Sequence, residues 1–136
     1  MTATPDLESF PAVVEQALEA MIFADREGII RIWNAQAEVV FGFAASEAIG
    51  RSIDLIIPED LRAAHWRGYH QAITTGQTKS DGRAMATRAA HKHAGKLYVE
   101  LAFWIVSVSP HGVLGALATA KDITQSYLAS RAKRSP

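Results

Sequence analysis

Cysteine is absent from the 136 residues. That excludes disulfides, thiolate metal sites and cysteine-based catalysis or photochemistry. Neither sign of charge is in excess, since 14 Lys and Arg balance 14 Asp and Glu. A nucleic-acid-binding domain carries a basic footprint, and this chain has none. No apolar run approaches the roughly 20 residues needed to span a bilayer. The first residues, MTATPDLESF, lack a basic stretch followed by an apolar one, so no secretory signal is expected. What is present is ordinary: 49% apolar and 21% charged residues, with 9 Gly and 5 Pro. That composition and length suit one compact core. The expectation is a single soluble, cytoplasmic domain that works beside a partner or as part of a larger system.

The apolar spacing of Leu7, Phe10, Val14, Ala17 and Leu18 predicts a helix over 7–20, with Pro11 in its first turn. Residues 21–25 and 29–33 read as two strands of a hairpin turning at Arg26-Glu27-Gly28. Asn34 is placed to cap a helix that Gly42 ends. Ser46 is expected to cap a short helix stopping at Gly50. Pro58-Glu59-Asp60 opens a longer helix, with two acids at its positive end, and Gly76 stops it. Three strands follow, over 82–90, 96–108 and 113–121, the last two joined at Ser109-Pro110-His111-Gly112. The tail becomes polar and basic.

This order predicts an α+β fold, one antiparallel sheet with helices gathered on one face. In 96–108, Leu97, Val99, Leu101, Phe103 and Ile105 share one face. The other face carries Tyr98, Glu100, Ala102, Trp104 and Val106 and is not fully polar. The N-terminal helix or a second subunit is expected to cover it.

The stretches AMIFADREGIIRIWNAQAEVVFGF, SEAIGRSIDLIIPED, GKLYVELAF and KDIT, in this order, resemble a PAS sensor domain. Together they run over about residues 18–125. Within that family, PEDLRAAHWRGY is most similar to the haem-binding oxygen sensors of the FixL type. The resemblance implies a five-stranded antiparallel sheet with helices on one face. It implies a flanking helix over 1–20, the PAS domain over 21–122 and a C-terminal tail over 123–136. It also implies haem b as cofactor, with His65, six residues after Glu59, as the iron ligand. Leu61, Gly68, Tyr69, Ala72 and Leu97 are then expected as further haem contacts. Gly82-Arg83 matches the family's Gly-Arg pair, with the preceding loop about two residues shorter. Arg83 would then meet the bound gas or a propionate. Leu101 and Phe103 match apolar residues on the ligand side. Two positions depart from the pattern. The family's Tyr three residues after the His is Gly68 here, with Tyr69 one step later, and the family's Arg six residues after the His is Gln71.

The residues also have readings of their own. Leu61, His65, Gly68 and Ala72 recur at i, i+4, i+7 and i+11, which puts His65 on an apolar helix row among small neighbours. Such a histidine either bonds a backbone carbonyl in the core or faces a slot for a flat group. Imidazole is an established axial ligand of haem iron. Arg83 at a strand start is either a solvated edge residue or a charge-assisted donor. Leu97, Leu101, Phe103 and Ile105 are core residues in any reading, and with haem they form the distal wall. Trp104 lies on the opposite face. His91 and His93, two apart, lack a third metal ligand in sequence, and His70 and His111 read as surface residues. Glu59 and Asp60 fit helix-start charges better than a catalytic pair.

No Gly-rich phosphate loop, G-x-S-x-G or H-E-x-x-H is present, so no enzymatic activity is expected. The leading expectation is a sensory domain that holds one haem through His65, binds O2, CO or NO and signals to an unidentified partner, as a homodimer. Two others stay open: a cofactor-free dimerisation module, and a PAS domain for flavin or another small ligand.

Overall fold

The computed structural model describes residues 9–79, 82–93 and 95–134. A short helix α1 (Phe10–Glu15) precedes the hairpin of β1 (Ala20–Asp25) and β2 (Ile30–Trp33). Helices α2 (Ala35–Phe41) and α3 (Ala45–Ala48) follow, then two 3-10 turns over Ile53–Ile56 and Glu59–Leu61 and the helix α4 (Arg62–Thr75). Strands β3 (Met85–Ala89), β4 (Leu97–Val108) and β5 (Gly112–Asp122) and helix α5 (Thr124–Arg134) complete the chain. The five strands form one antiparallel sheet in the order β2-β1-β5-β4-β3. This is the expected α+β architecture, and it makes β5 the central strand.

Local chemistry accounts for the turns. The Asp25 carboxylate accepts the backbone N–H groups of Glu27 and Ile29, each at 3.0 Å, and pairs with Arg31 at 2.8 Å. The β1–β2 turn is thereby closed by a side chain as well as by the backbone bond from Asp25 N–H to Ile29 O. Asn34 is buried and fully bonded. Its side-chain oxygen accepts from Met21 and from Ala37, the α2 cap, and its amide donates to Val14 O and Glu19 O. A cap of this kind contributes about 1 kcal/mol. Gly42 ends α2 at φ 85°, a left-handed conformation that favours glycine.

Alternation along the strands gives the sheet two faces. Ile22 and Ala24 of β1, Ala116, Ala118 and Ala120 of β5, and Leu101, Phe103 and Ile105 of β4 are cross-strand partners on the face toward α2, α3 and α4. The main core gathers there from Ile22, Ile30, Trp33, Phe41, Ile56, Leu97 and Val99, among others. A second cluster joins Tyr69 and Ile73 of α4 to Ala24 and Ala116. The opposite face carries a straight apolar row, Ile32–Phe23–Leu117–Trp104, each paired with the next across four strands. Ile32 and Trp104 at its ends are exposed.

Several expectations change at element ends. The described part of the first helix covers only Phe10–Glu15, because Gln16 leaves the helical conformation and Leu18 faces solvent; the expected residues 7 and 8 lie outside the described residues. Ser46 is inside α3 rather than its cap. The Glu47 carboxylate accepts the Ala44 N–H instead, which satisfies the same kind of orphan donor from within the helix. The strand expected over 82–90 is shorter and begins at Met85. The basic tail is helical from Thr124. Thr124 caps back onto Asp122, and Tyr127 stacks on Tyr98 at 4.2 Å between ring centroids.

Candidate functional site

Helix α4 carries the candidate ligand. Its N-terminal end is pinned by Arg62, whose guanidinium donates to Ile57 O at 3.0 Å and Asp54 O at 3.3 Å. Along the helix, Tyr69, Ala72 and Ile73 are buried, and Leu61, His65 and Trp66 are half-buried. The inward stripe therefore centres on Tyr69, with His65 and Ala72 on one flank and Trp66 and Ile73 on the other. Gly68 does not belong to it. It is exposed, and a methyl group there would meet nothing within 4 Å. The expected row through Gly68 is rotated too far, because the bulky Tyr69 takes the centre of the face.

Among the described residues, His65 Nδ1 is the one buried side-chain nitrogen or oxygen without a hydrogen-bond partner. Trp66 and Tyr69 flank the imidazole, with ring centroids at 4.9 and 5.7 Å. Burial pushes its pKa below the ordinary histidine value, against the opposing field of the Asp54 carboxylate and with a smaller contribution from His70. The shift favours the neutral imidazole, the form that ligates a metal.

Tyr69 ties α4 to the end of β1. Its hydroxyl donates toward the backbone carbonyls of Ala24, at 3.2 Å, and Asp25. Burial, with the charges of Asp25 and Glu27, pushes its pKa up to about 12. Trp66 donates its indole N–H to the Asp54 carboxylate at 2.8 Å. Its ring covers Gly28 so closely that a Cβ on Gly28 would lie 2.2 Å from it.

The strand residues divide. Leu97 is buried in the main core and Leu101 packs against it. Ile105 packs against the Tyr69 cluster. Between these two regions, Phe103 and its partner Ala118 remain half-buried although they lie mid-sheet on the helix side. A run of small residues, Ala116, Ala118 and Ala120, floors this strip. Arg83 is exposed, two residues before β3. The β3–β4 register pairs Met85 with Leu101, and continued by two residues it sets Arg83 across from Phe103.

The pattern GALATA in β5 is the sequence signal for the alanine floor, but it acquires meaning only once the register puts it opposite Phe103. Asp54 and Trp66 have no local signal, since their bond joins residues 12 apart. His91 and His93 face each other at 5.9 Å, and the His93 N–H donates to His91 Nδ1. Among the described residues no group of three or more His, Cys, Asp or Glu could hold a metal ion. Two cavities, about 640 and 290 Å³, open beside Lys96, Leu97 and His91. His65 lines neither. Among the described residues no helix is long and apolar enough to cross a membrane.

The strand order and the helices on one face are those of a PAS domain, and comparison with known proteins agrees. A family model described as PAS fold matches residues 8–123, and the chain belongs to that family. The oxygen sensor protein DosP of Escherichia coli strain K12 is 27% identical over 113 residues, covering 83% of this chain and 14% of DosP. The sensor protein FixL of Bradyrhizobium diazoefficiens is 40% identical over 47 residues, covering 35% of this chain and 9% of FixL. The chain thus spans a small part of either relative's length. The PAS domain of a protein from Colwellia psychrerythraea has the same fold, with a TM-score of 0.74 at 20% identity over 88% of this chain and 98% of that one. Light-oxygen-voltage domains are among other solved chains that share it.

Proposed function

We propose that this PAS domain is a gas sensor that holds haem b through His65. The observation that carries the reading is the His65 imidazole, whose Nδ1 is buried without a hydrogen-bond partner on the helix flank beside Tyr69. A satisfied core histidine would have found a carbonyl. The residues present fit the group in chemistry: an imidazole donor, an apolar strip at Phe103 and Ala118 left half-open, and a floor of alanines. The Escherichia coli relative is an oxygen sensor protein, which supports the same class.

When bound, haem would supply the iron at which O2, CO or NO is held. The chain's own residues do the rest. His65 would hold the iron through its imidazole. Leu101, Phe103 and Ile105 would line the group with apolar side chains. Arg83, two residues before the β3–β4 register begins at Met85–Leu101, would offer a cation to a bound ligand that carries partial negative charge. Leu61 and Ala72 fill the helix on the His65 side. Tyr69 holds the helix through its hydroxyl, and its ring beside His65 would offer the group an apolar contact.

The apolar row Ile32–Phe23–Leu117–Trp104 supports pairing of two copies through the outer face of the sheet. Homodimerisation is compatible with haem binding, and without haem it would be the domain's main role.

The test is a ligand replacement. His65→Ala is expected to lose stoichiometric hemin binding, with partial recovery of the spectrum by free imidazole. His70→Ala, His91→Ala and His93→Ala are expected to retain it. Full hemin content in His65→Ala would remove the assignment, and a yellow, flavin-loaded protein would replace it with another.

A further inference from the structure

Helix α4 is tied to one distant piece of chain by two aromatic residues, and both touch His65. The Tyr69 hydroxyl reaches the carbonyls of Ala24 and Asp25, where β1 enters its turn. The Trp66 ring lies over Gly28 in that turn, and its indole N–H holds Asp54. The ring of contacts then closes through backbone. Ile53 N–H donates to Gly28 O at 2.9 Å, and Ile30 N–H donates to Arg51 O at 2.8 Å. From α4 the path runs through Tyr69 to residues 24–25, around the turn to Gly28, across to 51–54, and back through Asp54 and Trp66.

From this closed circuit we infer that the β1–β2 turn, residues 25–29, is the element that reports the state of α4. The inference deepens the haem reading by naming how the same site would be read out, and it rests on that reading only for what moves the helix. The turn is suited to the task because one carboxylate organises it. Asp25 accepts from Glu27 N–H and Ile29 N–H and pairs with Arg31, while its own carbonyl receives Tyr69. A small displacement of Tyr69 therefore acts on the residue that sets three other bonds. Gly28 matters in the same way. Its φ of +82° and its lack of a side chain let the indole close on the backbone, so helix and turn are in direct contact with no side chain between them. The path avoids the outer face of the sheet, so the turn and a dimer interface can act independently. Coupling of this kind requires a two-state element that both sites bias, and a second state of the turn would be read at its two side-chain-held amides.

The experiment is amide hydrogen exchange on the full chain, first without hemin. Tyr69→Phe removes one hydroxyl and leaves the ring. The Glu27 and Ile29 amides are expected to exchange roughly tenfold faster, while β4 and β5 stay within about twofold of the wild type. Trp66→Phe should loosen Gly28 and residues 51–54 in the same local manner, and it serves if Tyr69→Phe does not fold. Turn amides that do not respond to either variant, or acceleration spread evenly over the sheet, would overturn the inference. Hemin is then added to the wild type. Uptake with changed exchange at 25–29, lost in Tyr69→Phe but kept in α4, supports the read-out. Uptake with an unmoved turn overturns it while leaving haem binding in place. Failure to take up hemin removes the haem reading, and the hemin-free comparison still decides the coupling.

Discussion

Phe103 and Ala118 sit opposite each other on β4 and β5, in the middle of the helix-covered face, and neither is fully buried. Mid-sheet residues on that side of a packed α+β domain are normally covered. Here the cover is supplied on either side, by α2 and the 3-10 turns at one end and by Tyr69 and Ile73 at the other. Helix α4, which carries His65, packs on the same face through Tyr69 and Ile73.

Filling the strip at Ala118 separates a ligand site from an ordinary core. Adding methylenes to a well-packed interior costs about 1–3 kcal/mol. Ala118→Leu is expected to change the stability of the hemin-free protein by less than about 1 kcal/mol, because Ala118 is only half-buried. Hemin affinity should fall at least roughly tenfold, a difference of about 1.4 kcal/mol. Urea unfolding and a hemin titration check both. A large loss of stability with unchanged hemin binding would show the strip to be packed and unused.

Without hemin, the stability of the domain should depend on His65. Burial lowers its pKa in the folded state, whereas in the unfolded chain it titrates near 6.5. Between those two values the unfolded state holds a proton that the folded state lacks, so stability rises with pH across that window. Acidification from about pH 7.5 to about pH 5.5 should therefore destabilise the wild type more than His65→Gln, as read by urea midpoints. Equal losses in the two proteins would place the imidazole in water.

The outer row predicts assembly. Leu117 lies between Phe23 and Trp104, and a charge there would be carried into any interface built on the row. The wild type is expected to sediment as a dimer at micromolar concentration and Leu117→Asp as a folded monomer. A monomeric wild type would leave the row without a partner copy.

Arg83 tests the gas side. A hydrogen bond from a charged group is worth about 1.5–3 kcal/mol, roughly 10- to 100-fold in affinity. Dioxygen draws more negative charge onto itself than CO does. Arg83→Ala should weaken O2 binding by about that factor and leave CO nearly unchanged. A parallel fall in both, or in neither, would assign Arg83 to a propionate or to the surface.

Much of the frame is legible in the sequence because it is written locally. Asn34, Gly42 and Gly76 mark helix ends with residue types that few other roles require, and the alternation from Leu97 to Ile105 sets one face of β4. The site is legible only in part. Periodicity puts His65 on the inward side, as the structure does, but it also puts Gly68 in the same row. It cannot say which of two adjacent residues, Gly68 or Tyr69, takes the centre. The partners of Tyr69 lie 44 and 45 residues upstream, and they are backbone carbonyls, which no side-chain pattern reveals. Gly28 under Trp66 is of the same kind. The helical tail escapes a local reading because its one strong anchor, Tyr127 on Tyr98, is also a long-range contact.

The most direct measurement is the absorption spectrum of the protein produced with added haem and titrated with hemin after purification. A red protein is expected, with a Soret band that saturates at one hemin per chain in the wild type and is lost in His65→Ala. A colourless wild-type protein that shows no saturable Soret band, or one whose band is unaltered by His65→Ala, would contradict haem ligation at this position.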